Sequence, residues 1–324
     1  MIAARLEAEL RAALAAADDA AIAPAERAEM LMEIAIGLQH APKTPDHLSG
    51  AVALYDRALS VCPAEDRLLR ARLSARRGTA LQAIPEDGTQ SLEAARLAYE
   101  EAVPVLAALG TPEEVAEAEM NLGLVLQYLA GAGRARIVDA IAAYQRALRT
   151  FNRARFPAEF AILQNNLATA FLSMPLVDER AKMREALAVQ AFEEGLKVVT
   201  LVDHPSEYAM LQNNLGNALQ YVSSSHVIEN NLRALDAYDE ALKVRTRETA
   251  PLEYANTIAN KANCLMNLPD DPADLALGNG ANLTRAKLYL EEANAIFAEH
   301  GDWAKAEILT APLAELDRAM ASAG

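Results

Sequence analysis

Twelve residues recur almost verbatim in this chain. LQNNLATAFLSM begins at Leu163 and LQNNLGNALQYV begins at Leu211, 48 residues later. A second, shorter pattern extends the repetition. It reads Ala, three residues, an aromatic or Leu, two residues, then Ala or Gly. It occurs as Ala51-Tyr55-Ala58, Ala95-Tyr99-Ala102, Ala140-Tyr144-Ala147, Ala188-Phe192-Gly195, Ala234-Tyr238-Ala241 and Ala286-Leu290-Ala293. The starts are separated by 44, 45, 48, 46 and 52 residues. Steps of four and three put all three side chains on one face of a helix. A repeated amphipathic unit cannot bury its apolar face alone, so stacked copies must bury a continuous core.

Ahead of each triplet lies an apolar–small pair with a Leu or Phe four positions after the apolar residue. It reads Ile34-Ala35-Leu38, Leu122-Gly123-Leu126, Leu167-Ala168-Phe171 and Leu215-Gly216-Leu219. Arg77-Gly78-Leu81 and Lys261-Ala262-Leu265 are degenerate copies whose cation keeps its stem packed and its head in water. Each unit is therefore read as a helix pair. First helices are predicted over 25–39, 67–83, 113–129, 158–173, 206–222 and 252–267. Second helices are predicted over 48–61, 91–108, 136–152, 180–201, 229–246 and 283–299. Pro24, Pro112, Pro157, Pro205 and Pro251 mark first-helix starts, where a missing N–H costs nothing. Residues 3–17 and 302–321 read as single amphipathic caps. Trp303, the sole tryptophan, is expected to pack the C-terminal cap.

NLGNAL at Asn214–Leu219, followed by Ala234-Tyr238-Ala241, resembles the signature of the tetratricopeptide repeat (TPR) family. The resemblance covers about residues 24–300. Family repeats run about 34 residues, and these are longer, with surplus at 223–230 and 270–282. The wording PSEYAMLQNNLGNAL and RTRETAPLEYANTIANKANCL is similar to the long-repeat bacterial branch found beside caspase-like CHAT domains. The resemblance implies an all-α, right-handed α-solenoid of about six TPR-like helix pairs. The expected boundaries are a cap at 1–22, repeats at 23–63, 64–109, 110–154, 155–202, 203–248 and 249–300, and a cap at 301–324.

Composition narrows the function. Of the 324 residues, 52% are hydrophobic but only 5% aromatic, much of the remainder being alanine, which favours closely approaching helices. A net charge of −15 makes nucleic acid a poor partner and reads either as a solvated surface or, more sharply, as a preference for a basic partner. No run approaches 18 uncharged apolar residues, and the start lacks a signal-peptide pattern, so the expected setting is cytoplasmic and away from membranes. Cys62 and Cys264 stand alone, and the five histidines have no ligand spacing. P-loop, dinucleotide and nucleophile-elbow motifs are missing. The expectation is a non-enzyme with no metal and no cofactor.

The candidate residues are polar. Asn121, Asn166, Asn214 and Asn260 each precede the apolar–small pair by one residue, a position read as an amide bonded to a neighbouring helix. The resemblance implies that first helices line a concave groove. Asn165, Thr169, Asn213, Asn217, Asn263, Gln127, Tyr128, Gln220 and Tyr221 are expected to project there and to bind peptide, because an amide both donates and accepts. Residues 67–77, RLLRARLSARR, hold five arginines and no acid. Arg72 and Arg76 are four apart on one face. They fork a partner's carboxylate, or neighbouring acids such as Glu29, Glu33 and Glu117 neutralise them. The functions in view are a protein- or peptide-binding adaptor or assembly scaffold, a regulatory module for a separate effector enzyme, and a homo-oligomeric scaffold.

Overall fold

Helix starts follow one chemical rule. Pro24-Ala25-Glu26, Pro112-Glu113-Glu114, Pro157-Ala158-Glu159, Pro205-Ser206-Glu207 and Pro251-Leu252-Glu253 each open a first helix. Proline at the first helical position surrenders no hydrogen bond, and glutamate two residues later faces the positive helix end. At Thr111 the rule closes into a capping box, with Glu114 N–H donating to Thr111 Oγ1 (3.2 Å) and Thr111 N–H donating to Glu114 Oε2 (2.8 Å). Residues 67–82 lack the proline; there Asp66 accepts from Leu69 N–H at 3.1 Å instead.

The computed structural model describes residues 2–40, 42–174, 180–222 and 226–323. The insertion read at 223–230 begins at 223–225, outside the described residues. Among the described residues the chain is helical without strands. The helices are α1 (Ile2–Ala16), α2 (Pro24–His40), α3 (Pro45–Val61), α4 (Arg67–Gln82), α5 (Gln90–Leu109), α6 (Pro112–Gly131) and α7 (Ile137–Ala147). There follow α8 (Pro157–Leu172), α9 (Ala181–Leu196), α10 (Pro205–Tyr221), α11 (Val227–Leu242), α12 (Pro251–Met266), α13 (Gly280–Glu299), α14 (Trp303–Ile308) and α15 (Thr310–Ala323), with a 3₁₀ turn at Leu275–Leu277. Two compact units divide them, Met1–Asn152 and Arg153–Gly324. In the first unit α2/α3, α4/α5 and α6/α7 pack as adjacent pairs. In the second, α8/α9, α10/α11 and α12/α13 do the same.

One contact builds every pair. The central residues Tyr55, Tyr99, Tyr144, Phe192, Tyr238 and Leu290 are all fully buried, with relative exposure of 0%. Their small neighbours in the triplets are buried as well. Three of the rings lie directly on a glycine of the preceding helix. A methyl group on Gly78 would sit 2.9 Å from the Tyr99 ring, on Gly123 2.5 Å from Tyr144, and on Gly216 2.6 Å from Tyr238. Each tyrosine hydroxyl then meets a glutamine four residues past the small position. Tyr55 Oη donates to Gln39 Oε1 (3.1 Å), Tyr99 to Gln82 (3.3 Å) and Tyr144 to Gln127 (2.8 Å), while Gln220 Nε2 donates to Tyr238 Oη (3.4 Å). Phe192 and Leu290 have no hydroxyl, and Leu172 and Met266 occupy their glutamine positions. The ring and its neighbour therefore match in polarity, as burial requires.

The degenerate cations are paired across adjacent helix pairs. Arg77 Nε meets Asp56 Oδ1 at 2.5 Å, and Lys261 Nζ meets Asp239, with Lys261 almost wholly buried. Asp56 and Asp239 each directly follow a triplet tyrosine, so the two bridges occupy matching positions. The charged heads expected in water are thus held by carboxylates.

Several helix ends differ from the periodicity. α7, α9 and α11 end at Ala147, Leu196 and Leu242, four or five residues early. Side-chain turns compete with the helix there: Thr200 Oγ1 accepts from Asp203 N–H (3.0 Å), and Thr246 Oγ1 from Thr249 N–H (3.2 Å). The cap at 302–321 is two helices, because Pro312 cannot donate to Ile308 and its ring crowds that carbonyl. Trp303 does not pack the cap; it is 68% exposed. The inward stripe begins one turn later, at Ala306, Leu309 and Leu316, which join Phe297 and Leu290 in the core.

Adding a methyl group to a helical glycine separates close packing from helix propensity. Gly123→Ala should cost about 1–3 kcal/mol, because the Tyr144 ring must move. Gly37→Ala, with open space around it, should be neutral or gain up to about 1 kcal/mol. Urea denaturation of the two variants measures the difference.

Candidate functional site

The arginine helix α4 is committed to its own unit. Arg70 Nη1 donates to Leu59 O (2.8 Å) and Cys62 O (3.0 Å), closing the end of α3. Arg72 forks Glu114, Nε to Oε1 at 2.6 Å and Nη2 to Oε2 at 3.4 Å. Arg76 Nη1 reaches Glu117 Oε1 at 3.2 Å. Of the two readings of Arg72 and Arg76, the internal one has its partners in place: α6 supplies a carboxylate to each arginine. Of the acids named as neutralising, Glu117 pairs with Arg76 and Glu29 acts on Arg72 through its charge, whereas among the described residues Glu33 forms no ion pair with either arginine. The Arg72 guanidinium, followed by the Thr111 cap, holds the Glu114 carboxyl below the usual range. α6 also contains a buried acid that charge patterning did not single out: Glu119 is 5% exposed and accepts both Arg146 Nε (2.6 Å) and Nη2 (2.7 Å). Gln127, partly exposed, accepts the Tyr144 hydroxyl on its amide oxygen. Tyr128 is exposed.

In the second unit Asn214 and Asn260 bond a neighbouring helix, as expected of them. Asn165 and Asn213, expected to face a ligand, are buried. Asn166, Asn214 and Asn260, expected to be purely structural, are only partly buried. The six polar groups form one chain across α8, α10 and α12. Asn165 Nδ2 donates to Asn166 Oδ1 (3.2 Å), and Asn214 Nδ2 donates to Asn165 Oδ1 (2.7 Å). Asn213 Nδ2 donates to Asn214 Oδ1 (2.9 Å). Asn213 Oδ1 accepts from Thr257 Oγ1 (3.1 Å) and Asn260 Nδ2 (3.4 Å). Arg245 Nη1 donates to Thr257 Oγ1 at 3.1 Å, and burial lowers that guanidinium's pKa. Both asparagines inside the chain therefore satisfy their neighbours rather than a ligand, as buried amides must.

The remaining candidates divide. Gln220 is spent on Tyr238 and on Asn260 O (3.2 Å). Asn217 Oδ1 accepts the Tyr238 hydroxyl at 2.7 Å, leaving its amide hydrogens unused. Thr169 Oγ1 donates to Asn166 O at 3.0 Å. Asn263 is partly exposed, and among the described residues its side chain has no hydrogen-bond partner. Tyr221 is 71% exposed. Asn166 and Thr169, Asn214 and Asn217, and Asn260 and Asn263 are each three apart on one helix, so each couple shares a face.

Reactive groups are muted. Burial pushes the Cys264 thiol up to about 12, and its Sγ bonds the Asn231 carbonyl at 3.1 Å, which keeps it protonated at neutral pH. Burial likewise raises the Cys62 thiol and pushes the Tyr55 phenol up to about 12. Among the described residues no three of His, Cys, Asp and Glu gather to hold a metal, and no helix is long and apolar enough to cross a membrane.

The Glu114 bridge gives a pH signature. Its folded pKa is depressed, so its stabilisation is present above the ordinary carboxylate range and is lost as pH falls through the folded value. Glu114→Gln removes the ion pair to Arg72 while its amide oxygen still accepts from Thr111 N–H, costing about 0–1 kcal/mol at neutral pH. Acid titration of urea stability should show the gap between wild type and variant closing below that range. No family model matches this sequence, and no curated protein matches it either.

Proposed function

We propose that the chain is a non-catalytic scaffold that binds a protein or peptide segment, as an adaptor or assembly factor. In this reading it is a TPR-like, right-handed α-solenoid of six long helix pairs with caps at 1–22 and 301–324. One observation carries the binding role. The first helices of the second unit present amides with bonding capacity to spare and almost no charge. Residues 160–173 and 208–221 contain no charged side chain, and 254–267 contain only Lys261, which Asp239 holds. In a chain that is 23% charged, this neutrality is a local departure. Amides suit a peptide main chain, since each side supplies both donor and acceptor.

Tyr221 and Asn263 hold no internal hydrogen bond through their side chains, so their replacement leaves the fold intact. Tyr221→Ala/Asn263→Ala should keep the wild-type melting temperature and lose at least one protein that wild type co-precipitates from native extract. Identical captured sets from both would reject this face as the working surface.

A second reading rests on the C-terminal region. Trp303 and Ile308 are 68% and 69% exposed on α14, and exposed apolar side chains of this size favour association. A dimer by light scattering that reverts to monomer in Trp303→Ser/Ile308→Ser supports self-assembly; a concentration-independent monomer removes it.

A further inference from the structure

The side of α4 that faces away from Arg72 and Arg76 lines a separate cleft. Residues 67, 70, 71 and 74 follow steps of three and four, so they form one stripe, and Arg70 lies about 200° around the helix from Arg72. The stripe meets the end of α3 and the middle of α5 across an open cleft of about 220 Å³. Leu59, Ala71, Ala102 and Val105 give the cleft an apolar lining, and Arg67, Arg70, Ser74 and Glu101 stand in its wall. Sites for drug-sized ligands run to about 300–1,000 Å³, so this one fits a smaller molecule. Its charges are unspent. Arg70 is half-buried, and its guanidinium is held by the carbonyls of Leu59 and Cys62, which are neutral. Among the described residues neither Arg67, Arg70 nor Glu101 forms an ion pair, and Ser74 Oγ has no hydrogen-bond partner. Asp66 is turned to the start of α4, where it accepts from Leu69 N–H. The three other arginines of α4 each hold a carboxylate. A guanidinium that has lost part of its water without gaining a carboxylate is costly, and an anion in the cleft removes that cost.

We propose that this cleft binds a free α-amino acid with an apolar side chain. The ligand has three parts, and the cleft answers each. Arg67 and Arg70 take the carboxylate through charge-assisted N–H donors. Glu101, on the opposite wall, takes the ammonium. The lining of Leu59, Ala71, Ala102 and Val105 takes the side chain, whose removal from water supplies the driving force. Ser74 Oγ both donates and accepts, so it serves either charged head. The mixture of signs selects the class. A simple anion would meet Glu101 as well as the arginines, and a simple cation would meet two guanidiniums, so each carries a penalty that a zwitterion escapes. An internal peptide segment has neither terminal charge. The cleft lies off the first-helix faces assigned to a peptide above, so this proposal stands or falls without that reading.

The test is isothermal titration of the full chain at neutral pH. L-Leucine is compared with glycine, which lacks the side chain, L-leucinamide, which lacks the carboxylate, and N-acetyl-L-leucine, which lacks the ammonium. Valine, isoleucine, methionine and phenylalanine are titrated alongside, and the tightest of the five apolar amino acids serves as parent for the analogues. The variants are Arg67→Ala and Glu101→Gln. Neither side chain is ion-paired in the fold, so both variants should keep the wild-type melting temperature. The expected result is a parent Kd below about 1 mM, with each analogue weaker by about tenfold or more. Arg67→Ala should weaken the parent about tenfold and leave the carboxylate-free amide unchanged, while Glu101→Gln should weaken the parent similarly and leave the N-acetyl compound unchanged. This crossed pattern assigns each charge of the ligand to one side chain. Any of three results overturns the proposal: no apolar amino acid binding below about 10 mM, an analogue that binds as well as the parent, or variants that bind the parent as wild type does.

Discussion

Each helix pair is set by one large side chain lying on one small residue. The ring of the second helix is wholly buried, and its approach is limited by what stands on the first. Glycine at 78, 123 and 216 lets Tyr99, Tyr144 and Tyr238 come within a distance that a methyl group would block. That closeness brings the phenol over a helix turn, where its hydroxyl has lost water. A buried hydroxyl without a partner costs about 1–3 kcal/mol. The glutamine four residues on removes this cost. The dependence is visible in its exceptions, since the glutamine position is Leu172 opposite Phe192 and Met266 opposite Leu290. Packing and polarity are therefore specified together, pair by pair.

With the interior of each pair satisfied in this way, the outer faces of the first helices are free to differ. In Met1–Asn152 they carry charge: α4 is cationic and α6 answers it with Glu114 and Glu117. Those bridges are partly exposed, so each is worth only about 0–1 kcal/mol in isolation. Glu114 gains more from doing two jobs, capping α6 and holding α4, which ties the start of one helix to the side of another. In Arg153–Gly324 the corresponding faces carry amides. An amide chain is insensitive to pH and salt, whereas an ion-pair ladder is not. The two units share a packing rule and solve the polar problem with different chemistry.

Much of this was readable in the sequence, for a physical reason. Spacings of four and three are properties of a single helix, so the triplets identify the buried face without knowledge of the neighbours. All six central residues are buried as that spacing predicts. The proline starts were equally local. What failed was long-range. Asn165 and Asn166 are adjacent and chemically identical, and only a neighbour 49 residues away, Asn214, decides which one is enclosed. The arginines of α4 find their acids 41 and 42 residues on, and the sequence offered several acids without ranking them. Helix ends failed where a threonine hydroxyl captured a backbone N–H, a competition that periodicity does not register. The tyrosine–glutamine pairing is different. Both partners recur in fixed register, so the signal was present and is recognised only when ring and amide are compared across all the pairs.

Asn165 and Asn213 raise a question that stability alone does not answer. Apolar residues of similar size would fill the same space without the desolvation of two amides. Leucine occupies Leu163 and Leu211, two residues earlier on the same helices, fully buried. A half-satisfied polar network is worse than an apolar core, and in this one both polar atoms of each buried asparagine are hydrogen-bonded. These bonds make the asparagines tolerable; they do not make them better than leucine. What leucine cannot do is fix the orientation of the next residue. An unrestrained amide at Asn166 would present oxygen and nitrogen to the surface interchangeably, and a ligand would have to lose that freedom on binding. Bonded to Asn165, Asn166 presents hydrogens only. The buried amides thus fix the orientation of the partly exposed amides beside them, which an apolar side chain could not do.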